Sequence, residues 1–126
     1  MLKRWLDEAT YREFLRCREQ RHAFATASVK QIEPGLFDWW VLDRVLRSDP
    51  APDVIVVRAG KLLELPAPTD RASARQLMSQ GIGFVVRHAQ THDAGLATIV
   101  RQFEADFEAS IHLQLFVTAE QTHGFG

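Results

Sequence analysis

The segment RHAQTHD, residues 87–93, gathers the side chains best suited to hold a metal: His88, His92 and Asp93. Two histidines four residues apart share one face of a helix, and with a carboxylate they supply three ligands of the kind zinc or iron takes. The flanking pattern works against that geometry. Strand-like residues lead up to His88 and a helical stripe begins after Asp93, so nothing forces the two rings together. Helix capping alone explains Asp93. The expectation is a strand-end histidine, a loop histidine and an N-cap aspartate.

Other reactive types are scattered. Cys17 lies between Arg16 and Arg18, which favours a thiolate, but no base stands at a defined spacing from it. The glycines of GIGFV, Gly81 and Gly83, follow a helix and precede a strand. A dinucleotide fingerprint needs the reverse order. AGK, Ala59 to Lys61, lacks the earlier glycine of a phosphate loop. Trp39 and Trp40 have the flat rings to stack on a ligand, yet on an amphipathic helix they read first as core or interface. The N-terminal arginines are interleaved with acids and read as a solvated helix face. No Ser/His/Asp, zinc-finger or paired-carboxylate spacing appears, so no catalytic set can be assembled from these residues.

Bulk properties set the frame. The chain has 126 residues, 46% hydrophobic and 25% charged, with a formal net charge of -1, the balance of one ordinary globular domain. That charge gives no electrostatic footprint for nucleic acid as the main partner. No apolar run nears the ~20 residues a membrane span needs, and the charged start MLKRWLDEATYREF has no signal-peptide core. A single cysteine precludes an intrachain disulfide and makes the cytoplasm the default compartment.

The elements that must position these residues follow from periodicity. Leu2, Trp5, Leu6, Ala9, Tyr11, Phe14 and Leu15 predict one helix to about Arg18, with Glu8 and Arg12 paired on its wet side. A weak extended segment follows around residues 23–29. Leu36, Trp39, Trp40, Leu42, Val45 and Leu46 predict a second helix, preceded by Pro34-Gly35 and stopped at Asp49-Pro50. DVIVVRAGKLLEL reads as two strands, or one with a bulge, ended by Pro66 and Pro68. Thr69 and Asp70 cap a third helix closed by Gly81, and GFVVRHA is a strand. Asp93 caps a fourth helix with a stripe of Leu96, Ile99, Val100, Phe103 and Phe107. IHLQLFVT is the closing strand, its odd-numbered residues from Ile111 to Val117 on one face and His112, Gln114, Phe116 and Thr118 on the other. The class is α+β, and the order looks like a helical lead-in to a sheet.

The stretch LQLFVTAEQTHGFG resembles the segment of cupin-like JmjC oxygenases, the bacterial and ribosomal-oxygenase branch, that leads into their iron site. Gln114, Phe116, Thr118 and Ala119 fall at that family's Asn, Tyr, Thr and Pro positions, followed after a short polar turn by Gly124-Phe125-Gly126. Upstream, EFLRCREQRHAFA, LFDWWVLDRVL, DVIVVRAGKL and the block from LMSQGIGFVV to RQFEADF are similar to the family's preceding elements.

The resemblance implies the N-terminal helices and first strands of a jelly-roll barrel from an Fe(II)- and 2-oxoglutarate-dependent protein hydroxylase. Gln114, Phe116 and Thr118 would lie at its co-substrate site. It also places the family's His-x-Asp and distal His after Gly126, with His123 at a turn position, so this stretch would be the inactive N-terminal portion of a longer enzyme. The alternative is a non-catalytic cupin-like binding or assembly module. Sheet edges around residues 111–118 would favour a homodimer.

Overall fold

Each of the four longer helices starts at an aspartate whose carboxylate takes backbone N–H groups of the first turn. A helix start leaves up to four such groups unpaired, and a capping aspartate stabilises it by about 1 kcal/mol. The structure is a computed structural model and describes residues 2–27, 29–30 and 35–120. Pro34, His123 and the Gly124-Phe125-Gly126 of the family resemblance lie outside the described residues.

Asp7 corrects the first expectation. The helix expected from Leu2 to about Arg18 is two helices, α1 (Leu2–Trp5) and α2 (Glu8–Glu19), because Asp7 accepts from the Thr10 N–H at 2.7 Å and stays extended. A short polar side chain that competes for backbone donors ends one helix as it starts the next. At the break Leu6 forms a bridge to Val29, and Lys30 donates its N–H to the Trp5 carbonyl at 2.6 Å. Glu8 and Arg12 pair as anticipated. Arg21 adopts a left-handed φ of 57°, and the His22 N–H returns to the Cys17 carbonyl to close α2.

The helix α3 (Trp39–Leu46) is followed by β1 (Asp53–Arg58) and β2 (Lys61–Leu62). DVIVVRAGKLLEL is therefore a hairpin. Ala59 and Gly60, with φ of 49° and 76°, form its two-residue turn, the pair of positive φ values that suits the twist of antiparallel strands. Next come α4 (Arg71–Ser79), β3 (Gly83–Arg87), a 3-10 turn (Ala89–Thr91), α5 (Ala94–Phe107) and β4 (Leu115–Val117). The closing strand pairs over three residues, fewer than the eight that alternation suggested. Residues before it are held otherwise: the Leu113 carbonyl accepts from the Ala89 N–H, and the Leu113 N–H donates to the Gln90 side chain.

The sheet is antiparallel with order β2-β1-β3-β4, so the molecule is α+β. Register puts Val54, Val86 and Leu115 in one row and Val56, Phe84 and Val117 in the next. This face meets Val41, Leu42, Val45 and Leu46 of α3 and Leu96 and Ile99 of α5, with Ala74 of α4. The N-terminal helices join through aromatic rings, Trp5 on Phe103 and Phe14 on Phe107, at centroid distances of 5.5 and 5.8 Å. Among the described residues no helix is long and apolar enough to cross a membrane.

Phe84 is fully buried at the centre of this core. Phe84→Ala should lower unfolding stability by about 3–5 kcal/mol in a urea titration. A loss under about 1 kcal/mol would contradict the packing of the sheet against α3 and α5.

Candidate functional site

Asp38 is itself extended and caps α3, accepting from the N–H groups of Trp40 and Val41 at 3.0 and 2.9 Å. The helix that starts there buries Val41, Leu42, Val45 and Leu46 and turns the tryptophans away from the core. Trp40 is 62% exposed and Trp39 36%, and Phe37 just before them is 52% exposed. Sequence pattern favoured core or interface for both indoles. The structure reserves the core for the aliphatic residues of the same helix, since a 100° step per residue cannot bury Trp40 together with Leu42 and Val45.

A cleft of about 700 Å³ opens beside these aromatics. Phe37, Trp39, Val41 and Leu42 form one wall, Met78 of α4 closes it, and residues 114–118 form the other wall. Five consecutive residues line it, so the cleft runs along the edge strand β4. Gln114, Phe116 and Thr118, singled out by the family resemblance, therefore all reach the same cavity. Its polar groups are few: the Gln114 amide, the Thr118 hydroxyl and the capped Asp38 carboxylate. Volume and lining match those of sites for apolar side chains or small ligands.

The rim next to the cleft is cationic. Arg71 of α4 lies over the Trp40 ring at 4.7 Å, and Arg75, one turn on, lies over Trp39 at 5.5 Å. No local pattern signals this pairing, because the partners are more than thirty residues apart. Its seat is Asp43, one turn along α3 from Trp39, whose Oδ1 accepts the Arg71 backbone N–H at 2.8 Å while its other oxygen takes the Arg47 guanidinium at 2.8 Å. Asp70 caps α4 in a reciprocal box, accepting from the Ser73 N–H while the Ser73 hydroxyl accepts from the Asp70 N–H. The carboxyl of Asp43 is held below the ordinary aspartate range chiefly by the Arg71 N–H, with Arg47 adding to the shift. That of Asp70 is held low chiefly by the Ser73 N–H.

The histidine-aspartate cluster does not assemble. His88 takes a left-handed φ of 51° and sets its ring edge-on to His112 at 4.9 Å. His92 turns to Ser48, with Nδ1 and Oγ 2.8 Å apart. Asp93 caps α5 through the Leu96 N–H and meets Arg44 at 3.2 Å. Three separate structural roles result, as the flanking pattern suggested. The Ser48–His92 contact is no activated nucleophile either. The Ser48 hydroxyl donates to the Val45 carbonyl at 2.6 Å, which leaves the histidine as donor to it. Cys17 is buried with its thiol 3.6 Å from Glu13, and Arg16 is paired to Glu13.

Iron of the JmjC kind needs two histidines and a carboxylate on one face. Among the described residues no group of three His, Cys, Asp or Glu side chains comes together in a way that could hold a metal, so these residues do not fit the ion. The chain matches no protein-family model, no curated protein and no solved structure.

Acid should loosen the α3–α4 junction. The folded carboxyl pKa values of Asp43 and Asp70 lie below their unfolded values, so their stabilisation is complete above about pH 4 and is lost as pH falls through the folded values. Thermal melts between about pH 5 and pH 2 should show a steeper fall for the parent chain than for Asp43→Ala. Parallel profiles would remove Asp43 from the junction.

Proposed function

We propose that the chain is a binding module that takes apolar side chains of a partner segment into the cleft between α3 and β4, working in the cytoplasm. One observation carries this reading: Phe37, Trp39 and Phe116, all large and all at least one-third exposed, surround a single cleft of about 700 Å³. Each ring keeps a third or more of its surface in water and so forgoes part of the stabilisation that full burial would give, and exposed apolar groups gathered around a concavity are the usual mark of a docking site. Flat, rigid aromatic rings also lose little entropy on contact, which suits them as binding anchors.

A labelled peptide carrying neighbouring Phe and Leu side chains in an otherwise uncharged sequence tests it. Fluorescence anisotropy should show saturable binding to the parent chain, weakened about tenfold or more by Trp39→Ala. Equal affinity for the two proteins, or no binding, would end the proposal.

A second reading has an observation of its own. Gln114, Phe116 and Thr118, the positions of the JmjC resemblance, line this same cleft. In that reading the chain supplies the helical lead-in and first strands of a jelly-roll 2-oxoglutarate-dependent protein hydroxylase. The Gln114 amide and Thr118 hydroxyl would hydrogen-bond a co-substrate carboxylate, with Arg75 standing over Trp39 of the same cleft. The described residues do not fit iron, so this reading rests on binding of the co-substrate by the cleft. Calorimetry with 2-oxoglutarate should give a binding heat that Thr118→Ala diminishes. A flat titration at millimolar concentration would leave the binding-module reading alone.

A further inference from the structure

Resting on the binding-module reading, the cationic rim says what kind of segment the cleft receives. Arg71 and Arg75 lie over Trp40 and Trp39, and neither has a carboxylate partner among the described residues. A ring face attracts the charge but accepts few of the five N–H groups each guanidinium carries. Neighbouring acids are already engaged. Asp38 serves the N–H groups of Trp40 and Val41, Asp43 serves Arg71 N–H and Arg47, and Asp70 serves Ser73 N–H. Two arginines therefore lie on the indoles of α3, Arg75 on the Trp39 that lines the cleft, with no carboxylate matched to their hydrogen-bonding edges among the described residues.

We propose that the α3–α4 face and the adjoining cleft dock an extended acidic segment of a partner protein, with carboxylates on Arg71 and Arg75 and an apolar side chain in the cleft. Spacing supports an extended chain. Four residues of helix advance about 6 Å, close to the ~6.7 Å between alternate residues of a strand. An acid-x-acid pair on one side of an extended peptide thus meets both guanidiniums, and Arg pairs carboxylates in the fork geometry that makes such contacts selective. A polyphosphate chain is the poorer match. The carboxylates of Asp38, Asp43 and Asp70 flank the two cations, and the whole chain has a net charge of -1. A continuous line of phosphates would meet that acidic flank, whereas two localised carboxylates need not.

The test uses the full chain and labelled peptides of one length that contain Asp-Ser-Asp-Phe-Leu, its Asn-Ser-Asn-Phe-Leu counterpart and its Lys-Ser-Lys-Phe-Leu counterpart, with a thymidine oligonucleotide as the fourth probe. Anisotropy at about 0.1 M salt should place the acidic peptide about tenfold tighter than the neutral one, with the basic peptide weakest. The double variant Arg71→Gln/Arg75→Gln keeps the backbone N–H that Asp43 holds. It should erase the tenfold preference for the acidic over the neutral peptide while leaving the circular dichroism unchanged. Equal affinity for acidic and neutral peptides overturns the acidic specificity and leaves the cleft reading standing. Retention of the preference by the double variant, or tighter binding of the oligonucleotide, also overturns it. Failure of all peptides to bind removes both readings together.

Discussion

The Asp43 carboxylate sets the geometry on which the candidate site depends. One of its oxygens accepts the first backbone N–H of α4, and the other holds Arg47 of its own helix. The contact joins the middle of α3 to the start of α4, beside the Arg47–Asp70 ion pair and the packing of Ala74 on α3, and so helps to fix the register of the two helices. From that point the 3.6-residue period dictates the rest. Arg71 falls over Trp40, and Arg75, a turn further, falls over Trp39. The same helix start is capped internally by Asp70 and Ser73. Two aspartates thus share the donors of one helix terminus, and their carboxyls are correspondingly reluctant to take up protons.

Packing beneath this junction leaves the aromatic face outward. The sheet offers one apolar face, and the aliphatic residues of α3 and α5 fill it around Phe84. The aliphatic side chains Val41, Leu42, Val45 and Leu46 occupy that layer, and an indole at position 40 would have to displace Leu42 or Val45 to join them. Once excluded from the core, Trp39 and Trp40 gain an arginine each, a contact worth about 0.5–1 kcal/mol where solvent reaches it. That is less than burial would give. The difference is what makes the face available to a partner.

Local signals in the sequence carried much of the architecture. Asp70, Gly81 and Asp93 mark helix ends by their own chemistry, and the β-branched run before Ala59-Gly60 reads as two strands or one with a bulge, which the structure resolves as a hairpin. The separation of His88, His92 and Asp93 also followed from neighbours in the chain. What escaped was set by competition or by distance. Asp7 interrupts a stripe that is continuous in apolar periodicity, because capping acts through one hydrogen bond that periodicity does not register. Alternation over residues 111–118 is real, but pairing with β3 extends only over Leu115–Val117. The Arg–Trp pairs join residues far apart in the chain, and no local pattern foretells them. Gln114, Phe116 and Thr118 came from a family resemblance, and their common cleft is a property of strand placement that spacing alone does not give.

On the proposed reading, Trp39, Trp40 and the residues of β4 form one docking surface. Two-dimensional NMR of the full chain during titration with the Asp-Ser-Asp-Phe-Leu peptide tests it most directly. The indole N–H signals of Trp39 and Trp40 and the amides of residues 114–118 should shift together along one saturating curve. Shifts confined to the Ser48–His92 region, or indole signals that stay in place while other residues respond, would contradict the claim.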